Sequence, residues 1–305
     1  MKFNTATNPF AAPGVWLKGG VHIHTTRSDG KLEPDAVVEV YRQHGYDFLV
    51  FGDHWKITVP QAPEGMTIIP GAEFDARLDD DPAEFHFIAV APQTVQVKAK
   101  DPYEMAGELL PRCAYLVAAH PYWSSMSTEQ VLRLARLGVP AMEVYNHGCQ
   151  VDNGLGYSMY AWDQVLSRGL RMNALAVDDA HFRSNDYCGG WVMLKAADRR
   201  PESIIAALQA GAFYSTTGAI LLDVQFPQPD ALQVRCSAAA EIMFRCNAYF
   251  GNVCCASDGQ LLTDATWKLP DQSKRQDRHR TRLVRIEVTD PAGKKAWSNP
   301  FYLAE

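Results

Sequence analysis

The sequence predicts an α/β barrel followed by a small all-β domain. Through about the first 218 residues, short apolar runs alternate with amphipathic stretches, which is typical of strand–helix–strand units in a mostly parallel sheet. Seven of the runs are continuously apolar, as expected for strands buried on both faces, and this favours a barrel over an open sheet. After Gly218 the amphipathic stretches stop and strand-like runs follow one another.

The elements of the first region can be placed from their patterns. The seven predicted strands are residues 15–24, 46–53, 66–73, 85–91, 115–120, 141–146 and 171–178. The predicted helices are residues 34–44, 103–112, 128–137, 158–168 and 201–210. Pro34 and Asp35 suit a first helical turn, where proline needs no amide partner and an acid favours the positive end of the dipole. Gly45, Gly138 and Gly169 follow helices, where left-handed caps are expected.

The second region, residues 219–305, is predicted to be a small sandwich-like β domain, with residues 1–218 forming the barrel. Its predicted strands are residues 220–226, 232–238, 241–250, 282–289 and 296–303. The sequence Asp290-Pro291-Ala292-Gly293 predicts the turn between the last two strands.

Composition excludes several classes of protein. The 305 residues are 47% hydrophobic and 21% charged, so the chain is neither disordered nor fibrous. The net charge of −6 disfavours binding to a nucleic-acid backbone, and we expect the basic run at 274–282 to be a solvated loop. No apolar stretch approaches the roughly 20 residues that span a bilayer, and the start lacks the apolar core of a signal peptide.

The seven cysteines are scattered and none forms a CxxC pair. A disulfide framework or a zinc knuckle would require paired spacing. We therefore expect reduced thiols and a cytoplasmic protein, with no membrane partner.

Metal-competent side chains recur where the predicted strands end. They are His22, His24, His54, Glu73, His120, Asp179 and His181. The carboxyl ends of parallel barrel strands meet on one face, so these side chains are predicted to converge there. The i, i+2 spacing of His22 and His24 also directs both rings to one side of a strand.

These residues occur within an ordered set of motifs: HIHTTRSDG from residue 22, GDH from 52, GAE from 71, HFIAV from 86, AHP from 119 and DDAH from 178. The set resembles the PHP (polymerase and histidinol phosphatase) superfamily over about residues 15–217. The resemblance implies a distorted seven-stranded barrel that binds two or three divalent metals.

The resemblance also implies which residues bind each metal. The first metal would be held by His22, His24, Glu73 and Asp179. Glu73 would bridge to a second metal, completed by His86 and His120, and a third would be held by Asp29, His54 and His181. His86 lies near the start of its apolar run, so its assignment depends on the resemblance alone. Asp29 occupies a position that other members fill with histidine.

A finer resemblance is to the branch that includes carbaryl hydrolases, the CehA/McbA-like group. It is carried by Ala161-Trp162-Asp163, by Val177-Asp178-Asp179-Ala180-His181, and by Ala296-Trp297-Ser298-Asn299-Pro300. That branch also has a C-terminal β domain and includes carbamate ester hydrolysis.

The ligand types predict a metallohydrolase. Imidazole and carboxylate ligands suit Mn, Zn or Fe, and a bridging carboxylate suits a pair of ions that share a hydroxide nucleophile, with no covalent enzyme intermediate. We expect Glu73, Asp179 and His54 to take part in catalysis, and Arg27 and Arg183 to bind a phosphate.

Three functions remain open. The leading one is a phosphoesterase that acts on a small organic phosphate. The second is a carboxylic or carbamate ester hydrolase with the same metal site, and the third is a non-catalytic metal-binding module. Asp53 and Asp178 are expected to orient imidazoles or water. The sequence leaves the substrate and the oligomeric state undetermined.

Overall fold

The computed structural model describes residues 2–4, 8–247, 250–270 and 281–304. Most of the basic run at 274–282 therefore lies outside the described residues. The helices are α1 (Pro34–Gln43), α2 (Pro102–Leu109), α3 (Thr128–Leu137), α4 (His147–Asn153), α5 (Met159–Ser167) and α6 (Pro201–Gln209). A short 3₁₀ helix, Leu110–Arg112, follows α2.

The strands before residue 218 are β1 (Lys2–Phe3), β2 (Val15–Val21), β3 (Phe48–Val50), β4 (Thr67–Ile69), β5 (Gly71–Arg77), β6 (Glu84–Val90), β7 (Tyr115–Ala118), β8 (Ala141–Asn146), β9 (Asn173–Val177), β10 (Trp191–Ala196) and β11 (Phe213–Thr216). The later strands are β12 (Leu221–Gln228), β13 (Ala231–Ala239), β14 (Glu241–Cys246), β15 (Gly251–Cys255), β16 (Leu262–Lys268), β17 (Leu283–Thr289), β18 (Lys295–Ser298) and β19 (Phe301–Ala304).

The predicted barrel strands lie in two sheets. Strands β2, β3 and β4 pair in parallel, and β5 to β9 form a five-stranded sheet in which β5–β6 and β6–β7 are antiparallel and β7–β8–β9 are parallel. Buried apolar side chains from both sheets, including Leu17, Phe48, Ile88 and Val117, pack into one core. The chain is therefore a mixed α/β fold with the two sheets around a shared interior.

A closed barrel is not confirmed, because among the described residues isolated bridges, and no continuous ladder, join the two sheets. The predicted strand 66–73 is split at Pro70, which has no amide hydrogen to continue a ladder. Single bridges link Ile23 to Ala180 and His54 to Glu73. Near the first bridge His22 and Asp179 adopt positive φ angles of 68° and 53°, which interrupts regular pairing between β2 and β9.

The helix ends follow the signals in the sequence. Helix α1 begins at Pro34, with Asp35 in its first turn. Helix α3 begins with a capping box, in which the Ser127 side chain accepts from the Gln130 amide and Gln130 bonds back to Ser127. It ends at Gly138, which has a φ of 96° in the left-handed region, as predicted.

Several elements were not predicted. Strand β10 precedes the predicted helix 201–210 and β11 follows it, and β10 pairs antiparallel with both β2 and β11. Strand β11 then pairs with β18, so that strands from both sides of residue 218 share one eleven-stranded sheet. The boundary at 218/219 therefore stays a prediction.

The later strands enclose a core of their own. Strands β12, β13 and β16 form a three-stranded antiparallel sheet, and β14 pairs with β15 and β17. Apolar side chains from both sheets, such as Val234, Phe244 and Ile286, pack together in one buried cluster.

Two motifs noted in the sequence connect the regions. Trp162 is buried and donates to the Met172 carbonyl, while Asn299 accepts from the Ala174 amide at 2.9 Å. Asp163 of α5 contacts Arg245 of β14 at 2.6 Å and Arg285 of β17. We call Asp163, Arg245, Arg285 and Glu287 the arginine network, since Glu287 also accepts from Arg285 at 2.7 Å.

No helix in the described part of the chain is long and apolar enough to cross a membrane. All seven cysteines are free thiols.

Candidate metal centre

The structure brings all nine predicted metal ligands into one cluster. Their side chains form four overlapping groups, in each of which the candidate ligand atoms lie within 4.8 Å of one another. The groups are His22–Glu73–His120, His22–His24–Asp179, His24–His54–Glu73 and His24–Asp29–His181. His86 joins them through Glu73, since its Nδ1 lies 2.8 Å from Glu73 Oε1.

Three atoms at the middle of this cluster have no hydrogen-bond partner. They are His22 Nε2, His24 Nε2 and Asp179 Oδ1, and all three are buried. The Asp179 oxygen lies 3.1 Å from each imidazole nitrogen. A buried polar atom without a partner is costly, so three that face one another indicate a missing ligand between them.

Backbone conformation supports the same interpretation. His22, His120 and Asp179 have φ angles of 68°, 25° and 53°, in a region that residues other than glycine seldom occupy. Such strain persists where the surrounding structure enforces it, commonly at functional sites. Gly52 makes room for one of these rings, because a Cβ there would lie 2.8 Å from His22 Cδ2.

Glu73 lies between two sets of imidazoles. Its Oε2 is 3.3 Å from the Nε2 atoms of His22, His24 and His54. Its Oε1 is 3.5 Å from His120 Nε2 and faces His86 on the same side. The two carboxylate oxygens are thus directed as a bridging ligand would be. Glu73 lies near the start of β5, and not at a strand end as predicted, because Pro70 begins a new strand.

The position of His86 has a physical explanation that the parallel-strand rule misses. Strand β6 runs antiparallel to β5, and its register places His86 opposite Asp75. Glu73 lies two residues before Asp75 and so on the same face of β5, which makes it a diagonal cross-strand neighbour that the His86 ring can reach.

Asp29 and His181 extend the cluster toward solvent. Asp29 Oδ2 is 3.1 Å from His181 Nε2, and its Oδ1 is 3.3 Å from His24 Nδ1. The Asp29 side chain is 41% exposed, whereas the side chains of His22 and His24 are fully buried. The third predicted set is therefore the most open, and His54 contacts Glu73 and not Asp29.

The electrostatics are set by burial and by the mixture of imidazoles and carboxylates. Burial favours the neutral form of His22 and His24, but Asp179 and Glu73 outweigh it and hold the pKa of both rings well above the ordinary value. Burial likewise opposes ionisation of Asp179 and Glu73, yet the adjacent imidazoles hold the pKa of both carboxyls below the usual range. The metal-free centre therefore favours charged carboxylates paired with protonated imidazoles, and a cation that binds there would displace the ring protons.

Asp53 and Asp178 do not have the predicted role of orienting imidazoles. Asp53 accepts from the Thr25 amide, the Thr25 hydroxyl and the Ser28 hydroxyl, each at 2.8 Å, and so shapes the loop after His24. Asp178 accepts from the Tyr41 hydroxyl at 2.7 Å and from three consecutive amides at 188–190. Both carboxylates stabilise the loops that carry ligands.

Imidazoles are instead oriented by two residues that sequence reasoning missed. The buried Glu143 of β8 lies 2.7 Å from His22 Nδ1 and accepts from the His120 amide at 2.7 Å. The Ser124 hydroxyl lies 2.9 Å from His120 Nδ1. The signal for Glu143 was present, since a charged residue within an apolar strand is seldom buried without partners.

The cluster opens into a cavity of about 340 Å³. Beside the candidate ligands, its walls include Trp123, Cys149, Asp152 and Arg183. Arg183 contacts Asp29, with 3.6 Å between Nη2 and Oδ2. Arg27 does not line this cavity but a neighbouring one of about 570 Å³, together with Trp55 and Lys56. The phosphate-binding role predicted for Arg27 therefore stays a prediction without a contact in the site cavity.

The donor set fits divalent metals. Nitrogen and carboxylate ligands surround buried atoms without partners, and borderline-soft ions such as Zn, Mn or Fe prefer this mixture. Cys149, the cysteine beside the cluster, has a thiol whose pKa burial raises, so it is not a ready thiolate ligand.

Comparison with known proteins bears on the fold. No family model matches the chain, and no curated protein does. A solved two-domain protein from Bacteroides vulgatus, described as containing a predicted PHP-like metal-dependent phosphoesterase, is 15% identical. The match covers 100% of this chain and 97% of that one, with a TM-score of 0.53.

A second solved structure, a candidate metal-dependent phosphoesterase from Bifidobacterium adolescentis, is 16% identical. That match covers 53% of this chain and 87% of the Bifidobacterium chain, with a TM-score of 0.39. The narrower resemblance to the CehA/McbA-like branch is not confirmed. The full-length match to the Bacteroides vulgatus protein confirms the PHP resemblance at the level of the fold alone.

Proposed function

We propose that the protein is a metal-dependent hydrolase, and that it acts as a phosphoesterase on a small organic phosphate. The observation that carries this proposal is the convergence of three buried, unpartnered ligand atoms, from His22, His24 and Asp179, inside a ring of further imidazoles and carboxylates. Buried atoms without a partner also occur singly elsewhere, at Tyr46 and Trp297, but an ordinary polar core would not direct three of them at one another.

The candidate ligands divide into sets that would each bind one ion. His22, His24 and Asp179 would bind one ion together with Glu73, whose other oxygen reaches toward His86 and His120. A third ion would be held by Asp29, His54 and His181, although His54 now lies on the Glu73 side of the cluster. We propose two or three divalent ions, of Mn, Zn or Fe.

Divalent ions in such a site lower the pKa of water and polarise the ester that is cleaved. The protein's own residues fix the ions, shape the cavity and exclude bulky substrates. The side chains of Glu73 and His22 are almost completely buried, so the ligand geometry is rigid, while the half-exposed His54 and Asp29 face the opening. A cavity of about 340 Å³ suits a small phosphate ester.

Whether the charge of the site favours an anionic substrate depends on the number of divalent ions bound. Four carboxylates, those of Asp29, Glu73, Glu143 and Asp179, lie on or directly behind the candidate ligands. Two divalent ions would balance them, whereas three would leave an excess of positive charge. Arg183 at the cavity wall adds one further cation that can bind a phosphate.

The test is a matched panel of nitrophenyl compounds: a phosphate monoester, a phosphodiester and a neutral carboxylic or carbamate ester. The protein would be loaded with Mn or Zn. Asp179→Asn removes a proposed ligand, and Glu39→Gln makes the same acid-to-amide change at an exposed residue whose carboxylate accepts from Arg42 and Gln43. We expect hydrolysis of a phosphate ester by the wild-type protein and Glu39→Gln, and none by Asp179→Asn.

Hydrolysis of the neutral ester alone would replace the phosphoesterase proposal with the ester hydrolase. Equal activity of wild-type protein and Asp179→Asn would mean that the metal cluster is not the active centre. Failure of the purified protein to take up any divalent metal would overturn the proposed function altogether.

A further inference from the structure

Glu143 connects two candidate ligands of the centre without belonging to the ligand set. It lies in β8 and is buried, with 1% of its surface exposed. Its Oε1 lies 2.7 Å from His22 Nδ1, and its Oε2 accepts from the His120 amide at 2.7 Å and from Asn146 Nδ2 at 2.9 Å.

The two carboxylate oxygens of Glu143 have different hydrogen-bond partners. Oε2 accepts from two groups that can only donate. The backbone amide of His120 has no acceptor lone pair. The orientation of the Asn146 side chain is fixed because its oxygen accepts from the Cys149 amide, so its NH₂ group faces Glu143. Oε1 faces His22 Nδ1. An ionised carboxylate only accepts, so Nδ1 must carry the hydrogen.

The hydrogen on His22 Nδ1 determines the state of the other ring nitrogen, Nε2. With the hydrogen on Nδ1, the neutral His22 ring keeps its lone pair on Nε2, which is one of the three buried atoms without a partner. That atom faces Asp179 Oδ1 at 3.1 Å and Glu73 Oε2 at 3.3 Å. Histidine ligands are commonly oriented by such a bond from the second nitrogen.

We propose that Glu143 is a positioning residue that makes His22 a metal ligand through Nε2 and, through the same carboxylate, holds the backbone of His120. This inference rests on the proposed metal site. Because His22 and His120 belong to one candidate group with Glu73, a single side chain aligns two ligands that come from β2 and from the end of β7.

Glu143→Gln provides a specific test because it is nearly isosteric. The two fixed donors require the amide oxygen at the Oε2 position, so the amide NH₂ would replace Oε1 and donate to His22 Nδ1. The hydrogen of the neutral ring would then move to Nε2, which removes the lone pair that a metal needs.

Zn²⁺ titration of the metal-free protein by calorimetry gives a readout that does not depend on activity. We expect Glu143→Gln to bind the tightest ion at least about 10-fold more weakly than the wild-type protein, the lower end of the effect of groups that orient metal ligands. Glu287→Gln is the matched control. It changes another carboxylate that is at least nine-tenths buried but contacts Arg245 and Arg285 and no candidate ligand, so its Zn²⁺ affinity should equal that of the wild-type protein.

A measurement on the wild-type protein removes any dependence on how the variant folds. In the Zn²⁺-loaded protein, nitrogen-15 NMR of the histidine rings should show His22 bound through Nε2 with hydrogen on Nδ1. Binding through Nδ1, or Zn²⁺ affinity of a folded Glu143→Gln equal to that of wild type, would overturn the role of Glu143. If the wild-type protein binds no Zn²⁺, Mn²⁺ or Fe²⁺, the proposed function itself fails.

Discussion

The candidate metal centre and the arginine network are both clusters of buried charged side chains, but they differ in how their polar atoms are satisfied. In the arginine network, the buried Arg285 contacts both Asp163 and Glu287, stacks on Trp162 with 4.3 Å to the ring, and is balanced by equal numbers of opposite charges. In the metal centre, three buried atoms lack partners and the acids exceed the permanent cations.

Satisfaction of the buried polar atoms therefore distinguishes a structural charge cluster from a candidate binding site. A buried charge is tolerated when it is paired and hydrogen-bonded, and the arginine network meets that condition with protein groups alone. The metal centre does not meet it until a cation is supplied. Both clusters contain charged side chains that are almost fully buried, such as Arg285 and Glu73, so the unpartnered atoms are the observation that separates the two.

The largest expected effect is the loss of activity when Glu73 of the metal centre is replaced. Glu73→Gln should lower kcat/KM for a phosphate ester by at least about 1000-fold, because metals contribute several kcal/mol to transition-state stabilisation and Glu73 faces both ligand sets. Steady-state kinetics with metal content measured in parallel would check it. A loss of less than tenfold would show that Glu73 is dispensable and that the comparison is wrong.

The second effect is on stability. Asp163→Ala should destabilise the protein by about 3 kcal/mol, the lower end of the cost of breaking a buried ion pair, because Glu287 still pairs with Arg285. Denaturant unfolding measures this, and kcat per folded molecule should not change. Glu39→Ala is the control, since it breaks an exposed pair with Arg42 on the surface of α1 and should leave stability nearly unchanged. Equal effects of the two variants would argue against a structural role of the network.

The third effect is the stabilisation by metal. A divalent ion at 100 times its Kd should stabilise the metal-free protein by about 2.7 kcal/mol, and removal by a chelator should reverse it. Asp163→Ala should retain this increment and Glu73→Gln should lose most of it. Thermal unfolding with and without metal distinguishes these results. If Glu73→Gln were stabilised as much as the wild-type protein, the ions would be bound elsewhere.

How far the sequence could predict this arrangement depends on whether a residue's role follows from local pattern. Apolar runs followed by histidine or aspartate located β2, β7 and β9 and the ligands His22, His120 and Asp179, because a buried parallel strand has a continuous apolar signal. Helix ends at Pro34 and Gly138 follow from backbone chemistry that acts within a turn.

The remaining features depend on partners distant in the chain. Helix α4 has only seven residues, and its cap, the Asn146 side chain that accepts from the Cys149 amide, lies at the end of a strand. Glu143 was hidden in an apolar run, since its two ligand partners are 121 and 23 residues away. Strand β10 alternates between buried and half-buried residues, but its pairing with β2 spans most of the chain.

The smallest effect distinguishes two arginines that the sequence treated alike. Arg183 lines the site cavity, whereas Arg27 lines the neighbouring one beside Lys56, whose ammonium bonds to the Arg27 carbonyl. A charged hydrogen bond to phosphate contributes about 1.5–3 kcal/mol, and the Arg183 side chain is 55% exposed, so we expect about a tenfold fall in kcat/KM for Arg183→Ala. Arg27→Ala should change a small phosphate ester's kcat/KM less than about twofold, because no contact places its guanidinium in the site cavity.

Substrate length makes this last prediction sharper. If both variants were assayed on a nitrophenyl phosphate and on a longer phosphodiester, a steep loss for Arg27→Ala on the longer substrate alone would mean that the substrate extends into the cavity of about 570 Å³. A steep loss on the short substrate would instead mean that the Arg27 side chain moves into the site when phosphate binds. If Arg183→Ala had unchanged kinetics on both substrates, the phosphate would be bound by the metal ions and imidazoles without Arg183.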